Sequence, residues 1–240
     1  MKIFLDPGHG GKDPGAEAAG YREKDIALNI AHMVGMILEE AGAEVRMSRE
    51  RDVFVCLYER AMMANEWGAD LFLSIHCNSA TSSAATGTES LVYAENGRVN
   101  DLAGQIADRI GQDLHLTNRG VKVRPELAVL NSTHMDAVLV ETAFISNAKD
   151  RNKLLIQPED FAAAIAGAIA GAVQDWPGLK GGEDDVNRYH YTADIPDWGR
   201  ATVQKLLDKG YLTGKAPDDL DLSDDMIRLL VVNDRAGMYD

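Results

Sequence analysis

The sequence predicts an α/β fold in which a mainly parallel sheet of about six strands is covered by helices on both faces. Short apolar runs typical of strands alternate with longer segments of helical periodicity from residue 1 to about residue 175. The 45% hydrophobic and 26% charged residues are those of an ordinary globular protein. A chain of 240 residues has room for one domain of middling size and a small appendage.

The elements follow from local pattern. The predicted strands span residues 2–6, 44–48, 71–76, 89–93, 127–130 and 137–140. The first helix is predicted over residues 25–41, where apolar residues recur at helical spacing between an N-cap at Asp25 and a stop at Gly42. The same periodicity predicts helices over residues 55–67, 100–114 and 158–173, and Pro158 opens the last of them.

The residue composition changes after Trp176, and this change predicts that the chain has three parts. Residues 1–176 form the main domain, residues 177–194 form a glycine-rich acidic linker, and residues 195–240 form a small helical domain. This last part has two short helical patterns, one behind Asp197 and one behind Ser223. Because fewer than 50 residues build little core alone, we expect it to pack on a partner, a copy of itself or the main domain.

Composition excludes several classes of partner. The formal net charge is -14 and no basic face is evident, so nucleic acid is not an expected partner. The longest apolar stretch, residues 161–173, is too short for membrane insertion. Asp6 ends the first apolar stretch, so no signal peptide is predicted, and a cytoplasmic location is expected until release. Two cysteines, Cys56 and Cys77, fit a reducing compartment.

Four polar residues stand where a sheet of this class carries its chemistry. His9, His76 and Glu141 follow apolar runs at the carboxyl ends of predicted strands, where ligands bind in open α/β sheets. Glu23 lies on the connection that begins at His9. Two imidazoles and one carboxylate form a catalytic zinc arrangement, and amide hydrolysis also needs an uncoordinated acid/base. We therefore predict His9, Glu23 and His76 as Zn²⁺ ligands and Glu141 as the catalytic residue.

Each of these residues also has a structural explanation. Taken alone, His9 is better explained as a hydrogen-bonded structural residue. For His76 alone, a structural and a functional role are equally favoured. Glu23 alone is explained by the favourable placement of a carboxylate at the start of a helix. Glu141 follows an apolar run, and a salt bridge to a buried arginine would explain its burial. The four together are more specific than any one of them. The other histidines are predicted to be structural or surface residues: His32, His115, His134 and His190.

Several motifs agree, in order, with one enzyme family. Residues 3–11 carry His9, residues 22–25 carry Glu23, residues 74–78 carry His76, and residues 138–147 carry Glu141. The chain also has a run with Arg49, Asp52, Arg60, Asn65 and Asp70, and the segment Asn118-Arg119-Gly120-Val121-Lys122. These motifs resemble those of the zinc-dependent N-acetylmuramoyl-L-alanine amidases of the amidase_3 family. The family often has alanine where Cys77 stands.

The resemblance implies a substrate and a reaction. Such an enzyme cuts the peptidoglycan amide between the lactyl group of N-acetylmuramic acid and the L-alanine of the stem peptide. In the tail, residues 209–214 resemble the signature turn of one S-layer homology repeat. That resemblance implies binding of a secondary cell-wall polymer through residues 195–240, and packing or homo-oligomerisation through the same residues is an equal alternative.

A wall-cutting enzyme without a secretion signal is expected to be a phage or prophage endolysin, stored in the cytoplasm and acting at the cell wall of a Gram-positive host. Two alternatives stay open on the sequence. One is a catalytically inactive wall-binding module, and the other is a zinc peptidase or deacylase acting on a different amide. A cytoplasmic scaffold built by the tail is the remaining hypothesis.

Overall fold

The computed structural model describes residues 1–95, 97–174, 188–189 and 191–209, and the single positions 212, 220, 222, 223, 227, 230 and 231. The chain divides into two compact units, Met1–Gly181 and Gly182–Asp240. In chain order, the elements of the first unit are β1 (Lys2–Pro7), β2 (Glu17–Ala18), β3 (Tyr21–Arg22), α1 (Glu23–Glu40), β4 (Glu44–Met47), α2 (Leu57–Trp67), β5 (Leu71–Asn78), β6 (Thr88–Val92), α3 (Gly97–Asp113), β7 (Asn118–Val123), α4 (Ala128–Asn131), β8 (Asp136–Phe144), α5 (Ala148–Ile156) and α6 (Pro158–Gln174).

Six of these strands form one sheet in the order β4-β1-β5-β8-β6-β7. The first four run parallel. Strand β6 is antiparallel to β8, and β7 is parallel to β6. Consequently the amino ends of β6 and β7 lie at the same edge as the carboxyl ends of the other four strands. The predicted six-stranded, mainly parallel α/β fold is confirmed.

Two apolar clusters cover the two faces of the sheet. On one face, side chains such as Leu5 and Leu73 pack against apolar residues of α1, α3 and α6. On the other face, Phe4 and Phe72 stack with ring centroids 6.0 Å apart, in a cluster that includes residues of α2 and α4. Burying a side chain of this size contributes about 1.5–3 kcal/mol, so the two clusters hold the sheet between its helices.

The second face changes from apolar to polar along the strands. Because successive side chains of a strand alternate between faces, Phe72, Ser74 and His76 of β5 lie on one face in that order. On the neighbouring strand β8, Leu139 is followed on the same face by Glu141. The apolar half packs under helices, and the polar half is left at the edge where the parallel strands end.

One predicted strand is wrong. Residues 127–130 do not join the sheet, because they contribute to the short helix α4 that covers it. The sixth strand is instead β7, whose sequence Asn-Arg-Gly-Val-Lys-Val contains only two apolar side chains, both valines. An edge strand with little buried surface need not be apolar, and a four-residue apolar run is equally compatible with helix and strand.

The predicted helix ends are shifted by up to three residues, and two further differences concern a helix cap and a helix that the sequence does not predict. Helix α1 begins at Glu23, and its N-cap, Arg22, makes no side-chain capping bond, so the predicted cap at Asp25 is wrong. Asp25 lies within the first turn, where a negative charge is favourable. Helix α5 was not predicted, although it has a side-chain cap in Asn147, which accepts hydrogen bonds from the backbone of Lys149 and Asp150.

The second unit has a small core of its own. Strand β9 (Arg188–Tyr189) pairs with β10 (Leu222–Ser223), and a 3-10 turn at Thr192–Asp194 precedes helix α7 (Asp197–Asp208). Buried side chains of this core are Ile195, Val203, Leu222, Ile227 and Val231.

Secondary structure in the second unit begins before residue 195. Residues 188–189 and 192–194, which the sequence predicts as part of the linker, carry secondary structure, and Tyr189 packs on this core. The rest of that linker, residues 177–187 and 190, lies outside the described residues, as does most of the segment 209–214. Of the second helical pattern, the described residues Ile227, Leu230 and Val231 are helical. Wall-polymer binding and oligomerisation through this unit stay predictions.

Within the described residues, no single helix has the length and apolar composition needed to cross a bilayer. One bent pair, Ala148–Ile156 with Pro158–Ala172, meets those two criteria only when its helices are taken together, and the bend between them is 81°.

A buried ion pair joins β1 to α2 beneath the polar edge. Asp6 is fully buried and accepts a 2.7 Å hydrogen bond from Nη1 of Arg60, which is also buried. The hydroxyls of Ser48 and Ser74 donate to the same carboxylate at 2.6 and 2.8 Å. Burial raises the pKa of Asp6, but the charge of Arg60 and these hydrogen bonds lower it below its usual value. The carboxylate therefore stays ionised and fixes the end of β1.

Replacing Arg60 by alanine should lower the free energy of unfolding by about 3–5 kcal/mol, because the Asp6 carboxylate would remain buried without its cation. Urea unfolding in the presence of a chelator measures this difference. Arg98→Ala is the matched control, since its exposed ion pair with Asp136 should contribute about 1 kcal/mol or less. Equal losses in the two variants would contradict the role assigned to Arg60.

Candidate metal centre

Two arginines shape the loop that carries His9. Arg60 donates to the backbone oxygens of Pro7 at 2.7 Å and of His9 at 2.6 Å. Arg49 donates to the backbone oxygens of Pro7 at 3.0 Å and of Gly8 at 2.7 Å. His9 itself has a φ of +60°, which is costly for a residue with a side chain. The carbonyls held by the arginines oppose relaxation of this turn and aim the imidazole at the sheet edge.

Glu23 lies between the two predicted imidazole ligands. Its Oε2 is 3.1 Å from Nε2 of His9, and its Oε1 is 2.8 Å from Nδ1 of His76. The backbone N–H of Ala16 donates to Oε2 at 2.8 Å, and that of Cys77 donates to Oε1 at 3.0 Å. The carboxylate is thus fixed from four sides, although it belongs to the first residue of a helix.

Two glycines make room for this arrangement. A Cβ at Gly8 would lie 2.3 Å from the His76 ring, and a Cβ at Gly15 would lie 2.6 Å from both Glu23 and the His9 ring. Gly15 also has a φ of +67°, which favours glycine. The glycines around His9 therefore allow backbone and rings to approach closely.

The three predicted ligands are brought together. One potential ligand atom from each of His9, Glu23 and His76 lies within 4.8 Å of those of the other two, and the described residues contain no other such group. Two imidazoles and a carboxylate are the donor set of catalytic zinc sites, which leave a coordination position open. Asp13 accepts from Nδ1 of His9 at 2.9 Å, which leaves Nε2 free for an ion. The chemistry and spacing of these donors fit zinc.

The protonation of the group follows from the Glu23 charge. Burial lowers the pKa of His9, but the hydrogen bond and charge of Glu23, followed by those of Asp13, raise it to about 9. Burial likewise lowers the pKa of His76, and Glu23 raises it above its usual value. Burial raises the pKa of Glu23, but hydrogen bonds from His76 and His9 bring it well below its usual value. Without an ion, His9 is therefore protonated at pH 7, and its positive charge lies beside the Glu23 carboxylate.

Glu141 lies beside this group but outside it. Its Cα is paired with that of His76 across β5 and β8, so the two side chains share a face. Burial raises the pKa of Glu141 to about 7. Its Oε2 is buried and has no hydrogen-bond partner among the described residues. The buried arginines donate elsewhere, so the salt-bridge explanation for Glu141 is not supported within the described part of the chain.

A model of the amidase_3 family, described as N-acetylmuramoyl-L-alanine amidase, matches residues 3–175. The chain belongs to this family. It is 38% identical over 183 residues to the sporulation-specific N-acetylmuramoyl-L-alanine amidase of Bacillus subtilis, which covers 75% of this chain and 69% of that protein. It is 37% identical over 186 residues to the endolysin of Bacillus phage SPP1, which covers 74% and 66% respectively.

A solved structure agrees with these relatives. The N-acetylmuramoyl-L-alanine amidase of Clostridium difficile 630 superposes with a TM-score of 0.70 at 29% identity, over 74% of this chain and 98% of that one. The share of a relative's own length that this amidase-family chain spans varies widely, from 31% to 84% in two further Bacillus subtilis proteins. The second unit, from Gly182 onward, lies beyond the family match.

Sequence reasoning missed several residues that support the site. Asp13 was not singled out, although its position four residues after His9 in a glycine-rich turn was a usable signal. Arg49 and Arg60 were noted only as part of the family motifs, because an arginine's backbone acceptors cannot be read from sequence. Glu89 was missed altogether, although its Cα is paired with that of Glu141 across β6 and β8.

The remaining histidines lie outside the candidate centre. Nε2 of His32 is 3.1 Å from the backbone oxygen of Glu50, and His115 and His134 are exposed. His190 lies outside the described residues. Cys77 is buried in the apolar cluster beneath α1, on the face opposite to His76.

Zinc binding to the metal-free amidase should release protons, and its affinity should rise with pH. The sign follows from the raised pKa of His9, because at pH 7 the ion must displace the proton that this imidazole carries. Since the pKa of His9 is about 9, affinity should still be rising between pH 7 and pH 8.5. Calorimetric titration in two buffers of different ionisation enthalpy measures the number of protons released. Zero release at pH 7 would contradict this description of the centre.

Proposed function

We propose that this protein is a zinc-dependent hydrolase of the amide between N-acetylmuramic acid and L-alanine in peptidoglycan. The observation that carries the proposal is the position of Glu141, on the sheet face that also bears His76, with a buried Oε2 that has no partner among the described residues. The family match over residues 3–175 supports the same bond as the target.

His9, Glu23 and His76 are the proposed holders of the ion, which when bound would polarise the scissile carbonyl and increase the acidity of water. Asp13 keeps the His9 ring in the tautomer that presents Nε2. The backbone N–H groups of Ala16 and Cys77 keep the Glu23 carboxylate from rotating away. These groups act by holding the donors in place before substrate arrives, so that little reorganisation is needed.

Glu141 is the proposed acid/base. It removes a proton from the attacking water and then delivers a proton to the nitrogen of L-alanine as the C–N bond breaks. A pKa of about 7 suits both halves of this task, since the carboxyl group exchanges its proton readily near neutral pH. The burial that raises this pKa also favours the protonated form of Glu141 at rest, and a neutral carboxyl group costs less to leave without a fixed partner than a carboxylate does.

The decisive experiment is mass spectrometry of purified peptidoglycan after digestion. The wild type should release stem peptides with a new L-alanine amino terminus, and a chelated sample should release none. Cleavage within the peptide or within the glycan would refute the proposal. Equal loss of cell turbidity with the wild type and with Glu141→Gln would instead favour a wall-binding module without activity.

Glu141→Gln should lower the cleavage rate by about 10²–10⁴-fold, because the amide cannot accept a proton from water. It should still bind one zinc ion per chain, as measured by atomic emission on the dialysed protein. Glu126→Gln is the control, because this exposed carboxylate pairs only locally with Arg124 and should leave the rate unchanged. A Glu141→Gln rate within about threefold of the wild type would remove the acid/base role from this residue.

We further propose the setting of a phage or prophage endolysin, held in the cytoplasm and active at the cell wall once the membrane is breached. The similarity to the endolysin of a Bacillus phage supports this setting. In a host carrying the native gene, the protein should be found in the cytoplasmic fraction before lysis. Recovery from the wall or the medium of intact cells would contradict it.

A further inference from the structure

The edge strand β7 is irregular beside the proposed acid/base. Where β7 pairs with β6, two residues, Arg119 and Gly120, lie opposite the single residue Glu89. Gly120 has a φ of +79°, which this local turn of the strand requires. An extra residue of this kind is a β-bulge, and bulges beside active sites redirect side chains. The bulge belongs to the motif Asn118-Arg119-Gly120-Val121-Lys122, which has no role in the proposed catalytic steps.

The bulge turns two cations toward one buried carboxylate. Nε of Arg119 donates to Oε2 of Glu89 at 2.7 Å, and Nζ of Lys122 donates to the same oxygen. Nδ2 of Asn78 donates to the other oxygen at 2.9 Å. Burial raises the pKa of Glu89, but these two cations lower it below its usual value, so it is ionised. With both oxygens engaged, Glu89 serves to orient the cations.

The guanidinium of Arg119 is held in one orientation, but not all of its hydrogen-bond donors are used. Its side chain is 36% exposed, and its Cζ lies 5.1 Å from the centroid of the Phe144 ring. In the described part of the chain its only hydrogen bond is made through Nε, so Nη1 and Nη2 remain as donors. A guanidinium held by a carboxylate on one edge and a ring on one face loses little further freedom when it binds an anion.

The cluster is next to the proposed site of cleavage. Glu89 is paired with Glu141, and Glu141 is paired with His76, so the three side chains form a row on one face of three neighbouring strands. Arg119 and Lys122 together outweigh Glu89 by one positive charge.

We propose that Arg119, supported by Lys122, forms a subsite that binds a carboxylate of the stem peptide, an inference that rests on the proposed function. In a muramoyl peptide the lactyl carboxyl group is consumed in the scissile amide, so the free carboxylates belong to the peptide side. The planar fork of Arg119 suits a carboxylate through two parallel hydrogen bonds. The subsite therefore favours stem peptides with an ionised acidic residue next to L-alanine over those in which it is amidated.

Calorimetric binding to the zinc-loaded Glu141→Gln protein tests the subsite without turnover. The probes are N-acetylmuramoyl-L-alanyl-D-glutamate and the same compound with both carboxyl groups amidated. The acid should bind about tenfold more tightly than the amide, the difference expected of a charge-assisted hydrogen-bonded pair. Introducing Arg119→Gln into the Glu141→Gln protein should abolish this difference, because it should lower the affinity for the acid probe and leave the affinity for the amide unchanged. Arg124→Gln, a similarly exposed arginine just beyond β7, is the matched control and should leave it unchanged.

Arg119→Lys covers the case in which Arg119→Gln fails to fold, since it keeps a cation beside Glu89 and removes the fork. The preference should then fall by at least about threefold. An unchanged preference, or equal weakening of both probes, would overturn the subsite. Cleavage of both probes by the wild type without any binding preference would overturn it while leaving the proposed function intact. A preference in binding without cleavage of purified peptidoglycan by the wild type would refute the proposed function and leave only a carboxylate-binding site.

Discussion

The parallel alignment of β1, β5 and β8 is the constraint on which the site depends. It brings the ends of three strands to one edge, so that residues far apart in the chain, His9, His76 and Glu141, meet without a local motif. The reversal of β6 and β7 adds their first residues to the same edge, including Glu89. A sheet of uniform direction would have placed Glu89 at the opposite end.

The polar edge is held by charges that are each matched to a stated partner. Asp6 is neutralised by Arg60, and the same guanidinium holds the turn that presents His9. The Glu23 carboxylate is contacted by two imidazoles and two backbone N–H groups. The Glu89 carboxylate is contacted by two cations and a side-chain amide. Among the carboxylates of the described residues, Glu141 is the one with a buried oxygen that has no hydrogen-bond partner. This contrast separates residues that build the edge from the one that can exchange a proton with substrate.

Much of the first unit could be predicted, because a helix or strand with one buried face has apolar residues at regular intervals in the sequence. The parallel strands and the long helices have such periods, and the four site residues stand at their ends. Strand β7 could not be predicted, because an edge strand with a bulge carries no apolar alternation, and residues 127–130 imitate a strand while forming a helix. The hydrogen bonds of Arg60 and Arg119 could not be predicted either, because their acceptors are far away in the sequence and are brought near only by the tertiary fold.

Anomalous diffraction at the zinc edge, from crystals of the zinc-loaded protein, tests the central claim most directly. The account predicts one strong peak about 2.0–2.1 Å from Nε2 of His9 and from Nδ1 of His76, and about 2.0–2.2 Å from a carboxylate oxygen of Glu23. Glu141 should lie beside the peak without coordinating it. A peak elsewhere in the chain, or one bound by Glu141 in place of Glu23, would contradict the account.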